Sequence, residues 1–412
     1  MYKYALLCCL LPLASLLTTA QPNRKLVVKN KVDHLETLAR EPMVAQHPNG
    51  DLYVTGYRND GKVPQLWRST DQGNHWDLVD VGTFESGAQG NSDVDLMIDA
   101  AGNIYLLSMT YTQFPDALEG FDFSTVKGSQ ITLGISRDAG KTWRWQHISK
   151  KDYDDRPWIA SSENGDLHII WNDGKGVHHS KSSDDGDTWT VQPDVYPKGG
   201  SSFLSAGRKG KLAARISPLS ASGQQLDESV DLAVISVNNG RSWQEVAVPG
   251  KRTWTQDLSG VPRWVEPLIW DDKDQLWLLW SEGTELKLAV SSDQGNQWQE
   301  HLVRNHADTV YFPYMQLTGD QFLCTWVSGF GDDIQHHAAV LSLENGSLHA
   351  AFLEPRTLNI WSRFAVGERT LDTGGEYFPI IALANGNFGM VTTIQNRKDD
   401  QLGFTWWELE LK

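Results

Sequence analysis

Four stretches of this chain share one spelling, Ser-x-Asp-x-Gly-x-x-Trp: Ser69-Asp71-Gly73-Trp76, Ser136-Asp138-Gly140-Trp143, Ser182-Asp184-Gly186-Trp189 and Ser291-Asp293-Gly295-Trp298. A fifth, Ser236-Asn238-Gly240-Trp243, carries Asn for Asp, and a sixth, Ser342-Glu344-Gly346-His349, has lost the Trp. Each lies between alternating apolar runs such as Ile131–Ile135, so each reads as a hairpin turn. The Asp accepts hydrogen bonds from turn amides, the Gly supplies a positive φ, and the Trp folds back as an apolar plug. This spelling decides architecture and says nearly nothing about chemistry.

Working outward, a second element precedes each turn. One or two polar residues, often followed by Pro, lead into an apolar strand, then a Gly/Asn/Asp turn and another strand. Seven copies start near Arg40-Glu41-Pro42, Asp93/Asp95, Asp155-Arg156-Pro157, Ser201/Ser202, Glu266-Pro267, Tyr311-Phe312-Pro313 and Glu376-Tyr377. Their intervals of roughly 46–65 residues suit four-stranded blades. The expectation is an all-β chain forming a single β-propeller, seven blades favoured and six the alternative. A spare strand, Lys25–Val32, pairs with Leu402–Leu411 to close the ring and hide both edges.

Residues 1–20 read as a signal peptide: Lys3, the apolar run Ala5–Leu17, and small residues before a cleavage near Ala20/Gln21. Residues 21–412 then form the propeller domain, secreted or periplasmic, with no later membrane span. Cys8 and Cys9 leave with the leader, and Cys324 lies in an apolar strand as an inert buried thiol. The formal charge of −16 argues against nucleic acid and anionic membranes as partners. It also opposes long-range steering of an anionic glycan, so such a ligand would rely on local arginines. A monomer is expected.

The turn spelling resembles the Asp-box (bacterial neuraminidase repeat) of the sialidase-like β-propellers, and the resemblance covers most of the mature chain. Sialidases proper have six blades, so seven would be a departure. The resemblance implies an exported glycosidase acting on an acidic oligo- or polysaccharide. Arg40-Glu41-Pro42 looks like the family's strand start whose arginine grips the substrate carboxylate. Tyr57-Arg58-Asn59-Asp60, after the next strand, resembles the loop carrying a second arginine and the acid/base aspartate. Arg215, ending the strand Lys211–Ala214, falls where a triad arginine would emerge, and Glu376-Tyr377 resembles the position of the nucleophilic tyrosine. The chemistry coheres: guanidinium groups suit a carboxylate, and a tyrosine activated by a neighbouring acid avoids setting an anionic nucleophile against an anionic sugar. Gly199-Gly200-Ser201 stands where the activating glutamate is expected, so Glu266 or Glu376 would substitute. Blade five shows no third arginine in its Ser281–Leu286 loop, leaving Arg156 and Arg263 to compensate. Tyr311 completes the substrate-binding set on this face.

Two other readings stay open. A polysaccharide lyase acting on a uronate glycan needs a base and a cation, which His178 or His179, a tyrosine and an arginine could supply. A binding module without turnover could use the aromatic loop Thr110–Phe123 to stack on sugar faces. His336, His337 and Asp333 lack diagnostic metal spacing, so neither metal nor cofactor is expected.

Overall fold

The computed structural model describes residues 24–35, 40–57, 61–111, 129–151, 154–198, 200–218, 232–249, 266–329, 334–357, 363–366, 369–372, 376–396 and 401–412. Residues 1–20, read from the sequence as a signal peptide, lie outside them. Seven antiparallel sheets follow one another along the chain. Their innermost strands are Arg40–Gln46, Ser92–Ile98, Asp155–Ser161, Gly200–Ala206, Leu268–Trp270, Val310–Thr318 and Ile380–Ala382. Blades one to six have four strands in sequence order, blade six gaining a short fifth strand, Arg356–Thr357, and blade seven draws its fourth strand from the other end of the described chain. A separate hairpin, Arg363–Val366 with Arg369–Asp372, lies between blades six and seven in the chain. No α-helix occurs among the described residues.

Blade seven is completed as expected by the N-terminal segment. Leu26–His34 pairs antiparallel with Gln401–Leu411, from Leu26↔Leu411 to His34↔Phe404, and becomes its outermost strand. One sheet therefore contains the first and last strands of the described residues, which removes the open seam a linear array would leave.

Strands read as continuous apolar runs because each blade is covered by neighbours on both faces. All eight residues of Ile104–Tyr111 are buried. Aromatic side chains fill the wedges between blades: Trp277 meets Phe322 with ring centres 4.3 Å apart, and Trp67 meets Phe404 at 5.3 Å. Rings also meet near the axis. Trp158 of blade three contacts Phe203 of blade four at 5.0 Å and Tyr377 of blade seven at 5.3 Å, and Phe203 contacts Tyr314 of blade six at 6.1 Å. Apolar side chains from four blades thus fill the centre.

The turn spelling builds one repeated geometry. In the first copy the Ser69 hydroxyl donates to Asp71 Oδ1 (2.9 Å) and accepts the Gly73 amide (2.8 Å), while Asp71 Oδ1 accepts the His75 amide (2.9 Å). The copies at Ser136, Ser182, Ser236 and Ser291 repeat the hydroxyl bridge. A side-chain hydrogen bond from the residue four positions on (His75, Thr142 or Thr188) is the larger influence, and with the amide and serine bonds it holds Asp71, Asp138 and Asp184 down to about 2. Two consecutive residues, not one, take the left-handed conformation: Gln72 (φ 63°) with Gly73 (φ 88°), and likewise in the other copies. The decayed copy is different in kind. Asn345-Gly346 joins Gln335–Glu344 to Ser347–Phe352 as a two-residue turn with both φ positive.

Gly73 serves packing as well as conformation, since a Cβ there would overlap the Trp406 indole of blade seven. Gly73→Ala is expected to cost ~2–4 kcal/mol, from left-handed strain plus overpacking. Urea unfolding monitored by tryptophan fluorescence measures it, and a loss below the strain contribution alone would show that the indole moves aside freely.

Candidate active site at the mouth of the ring

Strand register separates the two ends of each blade. In blade one Gln46, Leu52 and Ser69 adjoin at the turn end, whereas Arg40 pairs with Tyr57 at the other. Residues that start an innermost strand therefore gather on the face opposite the repeated turns.

Four of those starts are bulged. The register slips between Arg40 and Met43, Ser92 and Val94, Asp155 and Trp158, and Tyr311 and Tyr314. Within three of the slips Glu41 (φ 49°), Arg156 (φ 51°) and Phe312 (φ 51°) are left-handed, each just before a proline that disfavours the right-handed helical conformation. Non-glycine residues held there cost about 1–3 kcal/mol each. That cost turns both charged side chains into the cluster at the mouth.

Four consecutive blades feed that cluster: Glu376 and Tyr377 from blade seven, Arg40, Glu41 and Tyr57 from blade one, Asp93 from blade two, Asp155 and Arg156 from blade three. Arg156 Nη1 donates to Glu376 Oε2 at 2.7 Å, spanning from blade three to blade seven, and its Nε lies 3.7 Å from Asp155. The Tyr57 hydroxyl donates to Glu41 Oε2 at 3.1 Å, and the Arg40 guanidinium lies 5.8 Å from the Tyr57 ring centre. Asp93 is hydrogen-bonded to both Glu41 and Asp155. All except the partly buried Arg156 are buried residues.

Burial and crowding of like charges set the protonation. Burial first, then Glu41, raises Asp93 to about 7. Burial and Glu376 raise Glu41, and burial raises Glu376 against the pull of Arg156. Burial, with Asp93 and Glu41 next, pushes the Tyr377 phenol well above its ordinary value, so it stays protonated near neutrality. Asp95 does a different job: burial raises it to about 7 as well, but its carboxyl oxygens accept the Leu96 amide (2.8 Å) and the Ile159 amide of blade three (2.9 Å), tying adjacent innermost strands.

Arg215 sits within Leu212–Pro218, opposite Phe203 and Ala233, and so not at the end of a strand stopping at Ala214; the strand runs longer than expected. Its Nη2 meets Glu266 Oε2 of blade five at 3.1 Å with both side chains almost wholly buried (2% and 1% exposed). Glu266 also accepts the Ser281 amide at 3.3 Å. Tyr311 donates to the Gly329 carbonyl and packs among Phe312, Val327, Ile334 and Phe378. His178 is at the mouth end of blade three, between Asp173 (2.8 Å) and Asp194 (2.9 Å). Its neighbour His179 is buried against the turn of blade four, bonded to His168 at 3.0 Å, whose other nitrogen meets Asn239 at 3.0 Å. Arg58, Asp60 and Arg263, like the core of the aromatic loop, lie outside the described residues.

Sequence reading had placed Asp93 and Asp155 on this face without giving either a role. It had not separated Tyr57 from the following loop. Their shared signal was position alone, at a strand start or strand end. Among the described residues no group of three or more His, Cys, Asp or Glu is placed to hold a metal ion. No described helix is long and apolar enough to cross a membrane.

Fold and rim together define a seven-bladed β-propeller with a buried ionisable cluster at one mouth. No protein-family model matches the chain, and no curated protein does. Among solved structures it is similar to the polysaccharide lyase Uly1 (TM-score 0.50, 10% identity, covering 92% of this chain and 91% of that one). It is likewise similar to a protein from Lactobacillus plantarum (TM-score 0.50, 10% identity, 90% and 99%). An α-L-arabinanase from Penicillium chrysogenum, complexed with arabinobiose, matches at TM-score 0.49 and 17% identity over 75% of this chain and 95% of that one. At such identities the first two likenesses bear on fold alone.

Proposed function

We propose that this protein is an exported enzyme that hydrolyses glycosidic bonds at the mouth of its ring. The observation carrying this reading is the hydrogen-bonded set Glu41–Asp93–Asp155, buried beside Tyr57, Tyr377 and two arginines. Hydrolysis needs a group still protonated near neutrality that can give its proton to the departing oxygen, and Asp93 at about 7 suits that task. As the glycosidic bond breaks, positive charge develops on the sugar carbon. The Tyr377 oxygen would capture that carbon, passing its proton to Glu376 or Glu41, and water would then release the sugar. The Asp-box resemblance of the turns and the leader-like first 20 residues support the exported, carbohydrate-active part of the reading. The sialidase form of it, with Arg40, Arg58 and Arg215 gripping one carboxylate and Asp60 as acid/base, gains less support, because Glu266 already engages Arg215.

A lyase is the second reading, favoured by His178 standing at the mouth end between two carboxylates. One assay separates the two. Purified protein is incubated with neutral and acidic glycans while new reducing ends and absorbance at the short-wavelength ultraviolet edge are followed. A hydrolase yields reducing ends alone, and a lyase adds an absorbing unsaturated product. Tyr377→Phe is expected to abolish hydrolysis with an unchanged circular dichroism spectrum. Wild-type rates in that variant would remove Tyr377 from the mechanism.

A further inference from the structure

The described arginines of the mouth are already matched by acids. Arg156 is bonded to Glu376 and flanked by Asp155; Arg40 is surrounded by Glu41, Glu376 and Asp93. Arg215, the third candidate to grip a carboxylate, is bonded to Glu266. At the cluster itself two guanidinium groups face four carboxyl groups, Glu41, Asp93, Asp155 and Glu376; with Asp93 counted as the protonated acid, three acids still stand against two cations, so no positive charge is left over for a ligand. The chain as a whole is at −16 and deepens that imbalance.

A sugar carboxylate entering this site would have to displace Glu376 from Arg156 and leave one more anion among poorly solvated acids. An uncharged sugar meets no such opposition. Its hydroxyls can donate to the carboxylates and accept from the guanidinium groups without separating any ion pair. We therefore infer that the mouth of the ring takes a neutral glycan, one bearing no carboxylate on the unit held at the cluster. This rests on the glycosidase reading and narrows it, turning the sequence-based expectation of an acidic glycan around.

The test uses the full-length mature protein and its Asp93→Asn variant, in which slow turnover permits binding measurements. Calorimetric titrations are run with neutral arabino-, xylo-, galacto- and gluco-oligosaccharides, and with sialyllactose and oligogalacturonides at the same ionic strength. A neutral member is expected to bind at least about tenfold more tightly than any carboxylated one. In addition, Glu376→Gln, which releases Arg156 from its acid, is expected to raise affinity for the carboxylated set by about tenfold. A smaller preference for neutral glycans, or any preference for carboxylated ones, overturns the inference. Should carboxylated glycans be the ones cleaved, the glycosidase reading survives without it. If neutral glycans bind but the wild type never releases a reducing end, the substrate class stands and the glycosidase reading falls. Absence of binding across both sets overturns both.

Discussion

Replacing Asp93 by asparagine is expected to lower the turnover of glycan about 10²–10⁴-fold, the usual contribution of a positioned general acid, with little change in KM. Asparagine keeps the shape and much of the hydrogen bonding to Glu41 and Asp155 but has no proton to give. A second measurement separates lost chemistry from lost structure. Wild-type Asp93 titrates at about 7 when folded against 3.8 in the unfolded chain, so the folded state binds the extra proton between those values. Its contribution is therefore most favourable below the unfolded value and is lost as pH rises towards 7. Asp93→Asn escapes that loss, so its unfolding free energy should improve relative to wild type from pH 4 to 7, by at most about 4 kcal/mol. Equal stabilities across that range would mean that Asp93 is not held protonated, and the acid would have to be sought elsewhere in the cluster.

The second large effect is one of stability. Arg215→Met removes the cation beside Glu266 while leaving that carboxylate buried, and is expected to destabilise the fold by about 3–5 kcal/mol. Adding Glu266→Met should recover most of the loss, because a buried ion pair replaced whole by apolar side chains is often neutral or better. Catalytic constants of the double variant decide what the pair is for. If it braces blades four and five, kcat and KM stay within a few-fold of wild type. A KM raised by orders of magnitude in a stable double variant would return Arg215 to the substrate-gripping role that its place in the sequence suggested.

How much of this could be read from the chain differs between its two faces. At the turn face nearly all of it could. Ser69, Asp71 and Gly73 act on amides within four residues, so their spacing is their geometry, and each copy reports it independently. Ring closure was legible too, since a spare strand at each end with no other partner has one economical place to go. The left-handed residue ahead of each turn glycine was not foreseen. A side chain at that position carries no mark of the conformation the serine bridge imposes.

At the mouth, the residue types and their common face were readable from their places at strand starts, but their pairings were not. Arg156 and Glu376 are 220 residues apart and become partners only because the ring brings blades three and seven close to the axis. His178 and His179 make the same point over a single residue, one facing two aspartates and the other packed under a turn. Sequence by itself determined the wheel, because blades are specified by local turns and apolar runs repeated along the chain. Tertiary structure alone decided which arginines are already spoken for and which carboxyl holds a proton, because charge pairing and desolvation depend on distances between blades that no local pattern encodes.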